Sequence, residues 1–131
     1  MIEFVSQENH EKASQQAVIA MLARVSLKEI CDQCGYGIIS PLVREELMMK
    51  YHLAFGETYT ASNISDSVIS DGLFWVRIGS IKDYTYDHSA IIYNGDLYNP
   101  ATGINQPIAW YHRISFISQI FQNKRGHHEV I

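Results

Sequence analysis

Residues 87–103 read DHSAIIYNGDLYNPATG, and this stretch decides how the second half of the chain folds. The Asn94-Gly95 dipeptide lies between two apolar runs, which is the strongest short-range signal for a β-hairpin. A two-residue turn at this point pairs Tyr93 directly with Asp96 and extends the ladder outward from there. The sequence therefore predicts two antiparallel strands joined by a tight turn.

Side chains alternate between the two faces of a strand, so this register also sorts the hairpin residues by face. One face is mainly small or aliphatic, and its members are His88, Ala90, Ile92, Leu97, Asn99 and Ala101. We expect this face to pack against the core helix. His88 and Asn99 become diagonal neighbours on it, roughly 7–8 Å apart at the backbone and within side-chain reach. Asp96 points to the opposite face, although a three-residue loop would reverse this assignment.

A histidine held by an asparagine amide is an arrangement that supports nucleophilic catalysis. The amide fixes the tautomer and orientation of the imidazole, while the other ring nitrogen faces the nucleophile. The sequence therefore makes His88 a candidate base and Asn99 its orienting residue. The alternative is a core histidine whose ring is satisfied by a backbone carbonyl.

The remaining patterns place helices before strands. Residues 13–25, ASQQAVIAMLARV, are apolar nearly all round, which is typical of a buried helix. A capping box of Ser26 and Glu29 predicts a second helix that ends near Gly35, and the Ser40-Pro41 pair predicts the start of a third. GLFWVRIGS, 72–80, reads as a strand and a candidate exposed edge for peptide addition, and RISFISQIF, 113–121, as a helix or a strand. We expect an α+β fold with N-terminal helices packed on a C-terminal antiparallel sheet, in a single domain spanning 1–131.

Composition narrows the classes of function. The net charge of the 131-residue chain is −4 with both signs mixed along it, and the basic segment NKRGHH, 123–128, reads as a solvated tail. This pattern excludes a basic nucleic-acid stripe, and no apolar run approaches the ~20 residues of a membrane span. The polar N-terminus does not resemble a secretory signal, so we expect a cytoplasmic protein or an effector exported without a signal peptide.

The two cysteines, Cys31 and Cys34, form a CxxC pair without a second pair to complete a zinc site. They therefore read as plain thiols in a reducing compartment, and no metal or cofactor is implied.

The N-terminal stretch SQENHEKASQQAVIAML, residues 6–22, adds the parts that a thiol enzyme needs around its nucleophile. Position 13 opens the most apolar helix, and the free N–H groups of a first helical turn lower the pKa of a thiol. Gln7 lies six residues upstream, where an amide could act as an oxyanion donor. Position 13 itself is Ala13, which carries no nucleophile.

QENHEKASQQAVIAML resembles the start of the papain-like cysteine peptidases of bacteria, and is most similar to the double-glycine leader peptidase domains of bacteriocin exporters and their stand-alone relatives. VSLKEI and ISPLVREELMMKYHL look like the next two helices of that family, and DHSAIIYNGDLYNPATG is similar to its histidine strand. The likeness covers roughly residues 5–105. It implies the oxyanion role for Gln7, the nucleophile position for Ala13, the base role for His88 and the orienting role for Asn99.

Two departures from this family stand out. Asn99 occupies a position that is usually aspartate in the exporter domains, although papain itself uses asparagine. Ala13 removes the nucleophile, and we interpret it as an engineered replacement of a catalytic cysteine. The resemblance then implies a peptidase that hydrolyses a peptide or protein substrate in its active form.

Three alternatives remain open. The chain could be a natural pseudoenzyme that binds a peptide, or a papain-fold effector such as a glutamine deamidase. In the third alternative, Cys34 in the segment DQCGYG is the nucleophile of an active enzyme, although a helix C-terminus raises the pKa of a thiol.

Overall fold

The computed structural model describes residues 2–60, 70–80 and 87–122. The NKRGHH segment lies outside the described residues. In chain order the elements are α1 (Ser14–Ala23), α2 (Leu27–Cys34), α3 (Pro41–Lys50), β1 (Leu53–Thr60), β2 (Leu73–Ser80), β3 (Asp87–Tyr93), β4 (Asp96–Asn99), β5 (Gly103–Ile104) and β6 (His112–Gln122). Helices precede a six-stranded antiparallel sheet, so the predicted α+β class is confirmed.

The helix boundaries follow their capping residues. Ser26 Oγ accepts the Glu29 N–H at 3.1 Å at the start of α2, and Ser40 Oγ accepts the Val43 N–H at 3.2 Å at the start of α3. These bonds satisfy N–H groups that a first helical turn leaves without partners. The capping box of α2 is one-sided, because the Glu29 carboxylate accepts a hydrogen bond from the Tyr51 hydroxyl at 2.9 Å.

The strands lie in the order β1-β6-β2-β3-β4-β5, so the C-terminal strand is inserted between β1 and β2. The segment that reads as helix or strand is therefore a strand, β6. The prediction that LFWVRI forms an exposed edge is wrong, because β2 pairs with β3 on one side and with β6 on the other. β1 was not predicted, and a bulge interrupts its pairing with β6 between Phe55 and Thr58.

The hairpin of β3 and β4 has the predicted register. Asn94 and Gly95 both have positive φ, 50° and 89°, as a type I′ turn requires. Tyr93 pairs with Asp96, and the ladder ends two pairs further at Ile91 and Tyr98.

The sheet has an apolar core on each face. The larger core joins helix residues such as Val18 and Ile19 to Trp75 and Ile91 of the sheet. The second core contains no residue of α1, α2 or α3, and its buried members within the described ranges are Phe74, Val76, Ile78, Ala90, Ile92 and Ile117. The expectation that the face carrying Ala90 and Ile92 packs against the core helix is therefore wrong. The face of Ile91 does so, because both faces of β3 are apolar and alternation alone does not distinguish them.

No helix among the described residues is long and apolar enough to cross a membrane.

Candidate functional site

His88 and Asn99 form a buried pair at the end of the hairpin, where the β3-β4 ladder has already stopped. His88 Nε2 and Asn99 Oδ1 are 2.6 Å apart, and both side chains are buried. Asn99 Oδ1 also accepts the Ala101 N–H at 3.0 Å, which fixes the orientation of the amide. Because this oxygen only accepts, the neutral imidazole carries its proton on Nε2, and Nδ1 is its basic nitrogen. The Asp96 carboxylate instead accepts from Asn105 Nδ2 at 2.9 Å.

The first turn of α1 contacts β3 next to His88. The Ser89 N–H donates to Ser14 Oγ at 3.0 Å, in a buried position beyond the last pair of the β3-β4 ladder. These two residues directly follow His88 and Ala13 in the sequence. Ala13 is the N-cap of α1 and is completely buried. The helix start is thus held at the open edge of β3, beside the histidine.

Gln7 lies beside Asn99, but its side chain does not have the predicted arrangement. Its backbone N–H donates to Pro100 O at 3.1 Å, which brings residues 7 and 99 together. Its side-chain Nε2 donates to His10 O and to Glu11 O, each at 3.2 Å. Because both partners are carbonyl oxygens, the Gln7 side-chain atom that faces them must be the amide nitrogen and not the amide oxygen. The Gln7 amide therefore holds the loop that precedes α1.

The second expected oxyanion donor is also engaged. The Ala13 N–H donates to His10 O at 2.9 Å, the same carbonyl that accepts from Gln7. In this conformation neither group is directed at a substrate oxygen. The structure therefore brings all four predicted residues to one end of the sheet, and pairs only His88 with Asn99 in the predicted way.

Neither cysteine has the properties of a nucleophile. Burial raises the pKa of the Cys31 thiol to about 11 and also raises the pKa of Cys34. Cys34 is the last residue of α2, and its Sγ donates to Ile30 O at 3.4 Å. A thiol used as a hydrogen-bond donor and with a raised pKa is a poor source of thiolate near neutral pH. Both cysteines are free thiols, as predicted.

Two buried polar residues of α1 hold the helix in place and were missed as candidates. Ser14 anchors the helix start to β3, as described above. Gln16 is fully buried, and its Nε2 donates to the carbonyls of Gly35 and Gly37, which ties the loop after α2 to α1. Both lie in the polar first turn of a helix that is apolar from Ala17 onward, so the pattern did not distinguish them from less buried residues such as Gln15. A buried polar side chain requires a specific partner.

No group of three or more His, Cys, Asp or Glu side chains is placed to hold a metal ion within residues 2–60, 70–80 and 87–122. Comparison with protein-family models, with curated proteins and with solved structures finds no match to this chain.

Proposed function

We propose that this chain is a papain-like cysteine-peptidase domain in an inactive form, with Ala13 at the position of the nucleophile. The observation that carries the proposal is the buried His88–Asn99 pair at the edge of β3 to which the first turn of α1 is attached. The helices-then-sheet order and the absence of an activated thiol at Cys31 or Cys34 agree with it.

The chemistry requires a thiol at position 13 and donors for the oxyanion. His88 Nδ1 would take the thiol proton, and the thiolate would attack the carbonyl carbon of an amide. Collapse of the tetrahedral intermediate would transfer a proton from the imidazolium to the departing amine and leave an acyl-enzyme. Water, deprotonated by His88, would then release the acid and restore the thiol. The same steps on a side-chain amide amount to glutamine deamidation.

Oxyanion stabilisation is the part that the present conformation does not supply, because the Ala13 N–H and the Gln7 amide donate within the 7–13 loop. Losing one such donor costs an enzyme about 100- to 1000-fold in turnover. We therefore expect the Ala13→Cys variant to have a strongly ionised thiol but a low rate of hydrolysis. The sensitive first measurement is thus thiol reactivity rather than peptide cleavage.

The test replaces Ala13 with cysteine and measures alkylation by iodoacetamide at pH 6.5, with the site identified by peptide mass mapping. An ordinary thiol is about 1% ionised at this pH, so a thiolate paired with an imidazolium should react roughly 10- to 100-fold faster. Cys31 and Cys34 give a slow internal reference, because burial raises the pKa of both thiols.

Two variants sharpen the test. Ala13→Cys combined with His88→Ala should lose the fast reaction, whereas Ala13→Cys combined with His52→Ala should keep it, since His52 precedes β1 at the opposite end of the sheet. Slow alkylation at position 13 of the Ala13→Cys variant, at a rate indifferent to His88, would contradict the proposal.

A second candidate function is a non-catalytic peptide-binding domain. It is favoured by one observation, namely that the site has no nucleophile at position 13 and that both expected oxyanion donors bond within the loop that precedes α1. Under this alternative, Ala13→Cys yields a thiol of ordinary or raised pKa and no acyl-enzyme with any activated ester.

A further inference from the structure

A cleft of about 370 Å³ opens on the helix-facing side of β1, β6 and β2, outside the site described above. We call it the arginine cleft. Phe55 and Phe116 form apolar walls and are each more than one-third exposed, while buried Trp75 lines the cleft between them. The remaining lining side chains are Arg44, Thr58, Arg77 and Ser118.

Arg44 reaches the cleft from α3 without an acidic partner among the described residues. Its Nη1 donates to Gln15 Oε1 at 3.3 Å, and its guanidinium lies 5.7 Å from the centre of the Phe55 ring. Its Nε is buried and has no hydrogen-bond partner in the part of the chain that the structure describes. A half-buried cation that contacts only a neutral amide and a ring is incompletely compensated, and a bound anion would supply what is missing.

The other polar groups of the cleft also suit an anion. Arg77 adds a second positive charge, and no acidic side chain of the described residues lines the cleft. Thr58 Oγ1 and Ser118 Oγ are 2.9 Å apart, so one of these hydroxyls donates to the other and the pair still has one proton to donate. Two guanidinium groups and a hydroxyl donor beside aromatic walls fit a carboxylate attached to an apolar body.

The arginine cleft shares a strand and a helix with the candidate site, but it lies on the opposite face of the sheet from the His88 side chain. Arg77 pairs across the sheet with Ser89, the residue after His88. Gln15, which bonds Arg44, lies two residues after position 13. A peptide that spans the cleft and the candidate site would therefore have to pass from one face of the sheet to the other around its edge.

We propose that the arginine cleft binds a carboxylate of a peptide, either an acidic side chain or the C-terminus, with an adjacent aromatic or aliphatic side chain against Phe55 and Phe116. That this carboxylate belongs to a substrate rests on the proposed function. That the cleft binds an anion does not depend on it. The carboxylate would accept from the Arg44 guanidinium, compensate its charge and bridge towards Arg77.

The test uses the chain with Ala13 in place, so it does not depend on catalysis. N-acetyl-phenylalanine and its C-terminal amide are titrated while amide and indole signals are followed by NMR. The acid should shift the Trp75 indole signal and bind at least 10-fold more tightly than the amide. Equal binding of the two probes, or no binding of either, would overturn the proposal.

Arg44→Gln and Arg77→Gln should each weaken binding of the acid at least fivefold. Arg113→Gln should not, since it removes the same charge from an exposed position away from the cleft. Because Arg77 is exposed, we expect the Arg77→Gln variant to fold. It therefore tests the proposal even if the Arg44→Gln variant unfolds. Unchanged binding in Arg77→Gln would contradict the proposal.

Phenyl phosphate is the last probe. If it binds tenfold more tightly than N-acetyl-phenylalanine, the cleft is reassigned to a phosphorylated ligand.

Discussion

Ser14 shows how a single buried hydroxyl determines where α1 begins against the sheet. Its Oγ is the acceptor for the Ser89 N–H, and both residues are buried. Ser14→Ala leaves that N–H without a partner and without access to water. We expect the free energy of unfolding, measured by urea denaturation, to fall by about 1–3 kcal/mol.

Ser115 is the matched control for Ser14. Its hydroxyl also bonds to the main chain, donating to Arg77 O at 3.2 Å, but it is exposed on β6. Ser115→Ala should change the free energy of unfolding by no more than about 0.5 kcal/mol. Equal losses in the two alanine variants would mean that the Ser14–Ser89 bond does not anchor the helix.

Residue roles at the site differ in how far the sequence could predict them. The His88–Asn99 bond could be predicted because a two-residue turn fixes the register, and register fixes which side chains meet. The side chain of Gln7 could not be predicted in this way. It lies in a loop, and its direction depends on the carbonyls of residues 10 and 11, which no periodic pattern locates.

Among the secondary-structure elements, the sequence predicts the helix starts and the hairpin turn, which depend only on nearby residues. Ser26 and Ser40 cap α2 and α3, and Asn94-Gly95 makes the turn, because each acts on groups within three residues of itself. β1 was missed because its sequence, LAFGETYT, has weak alternation and a glycine at the bulge. A Cβ at Gly56 would collide with the Phe121 ring of β6, so a larger residue here fits only if that exposed ring moves.

The turn between β3 and β4 provides a prediction at this scale. Gly95 has φ of 89°, and a Cβ there would meet only an ordinary contact, 3.6 Å from Ser70 Cα. The cost of Gly95→Ala is therefore backbone strain, and we expect a loss of about 1–2 kcal/mol in the free energy of unfolding. Urea denaturation monitored by tryptophan fluorescence measures it.

Gly37→Ala is the comparison for Gly95→Ala, because a Cβ at Gly37 has no atom within 4 Å and its φ is not in the left-handed region. It should be neutral or stabilise by about 0.4–1 kcal/mol, since alanine restricts the unfolded chain more than glycine does. A Gly95→Ala variant as stable as Gly37→Ala would show that the hairpin does not depend on a type I′ turn.

For the whole molecule, the order of the strands follows from contacts that are distant in sequence. β6 lies between β1 and β2, so the middle of the sheet forms only when the C-terminal strand joins two strands from earlier in the chain. Local patterns contain no information on this insertion, which is why the LFWVRI pattern alone suggests an edge. The same insertion creates the arginine cleft, since Phe116 and Ser118 of β6 complete its lining between β1 and β2.

The buried Cys31 thiol should make the stability of the whole molecule depend on pH. Burial raises the pKa of Cys31 from about 9 to about 11, whereas the unfolded chain ionises it near ~8.5. The folded state thus favours the protonated thiol. Its contribution to the free energy of unfolding is complete below pH ~8.5 and is lost as the pH rises through about 11. Because solvent screens part of this effect, we expect a loss of about 0.5–1 kcal/mol per pH unit in that window.

The measurement compares urea denaturation of the chain and of Cys31→Ala, both in reductant, at intervals from about pH 7.5 to about pH 10.5, a range that spans the ordinary thiol pKa. The alanine variant loses packing at every pH, so its curve should lie lower but fall less steeply with pH. All other titratable groups, Cys34 included, are present in both proteins, so their effect largely cancels in the difference between the two curves. Parallel curves would mean that the Cys31 thiol is not desolvated, and that α2 packs on α1 more loosely than the structure places it.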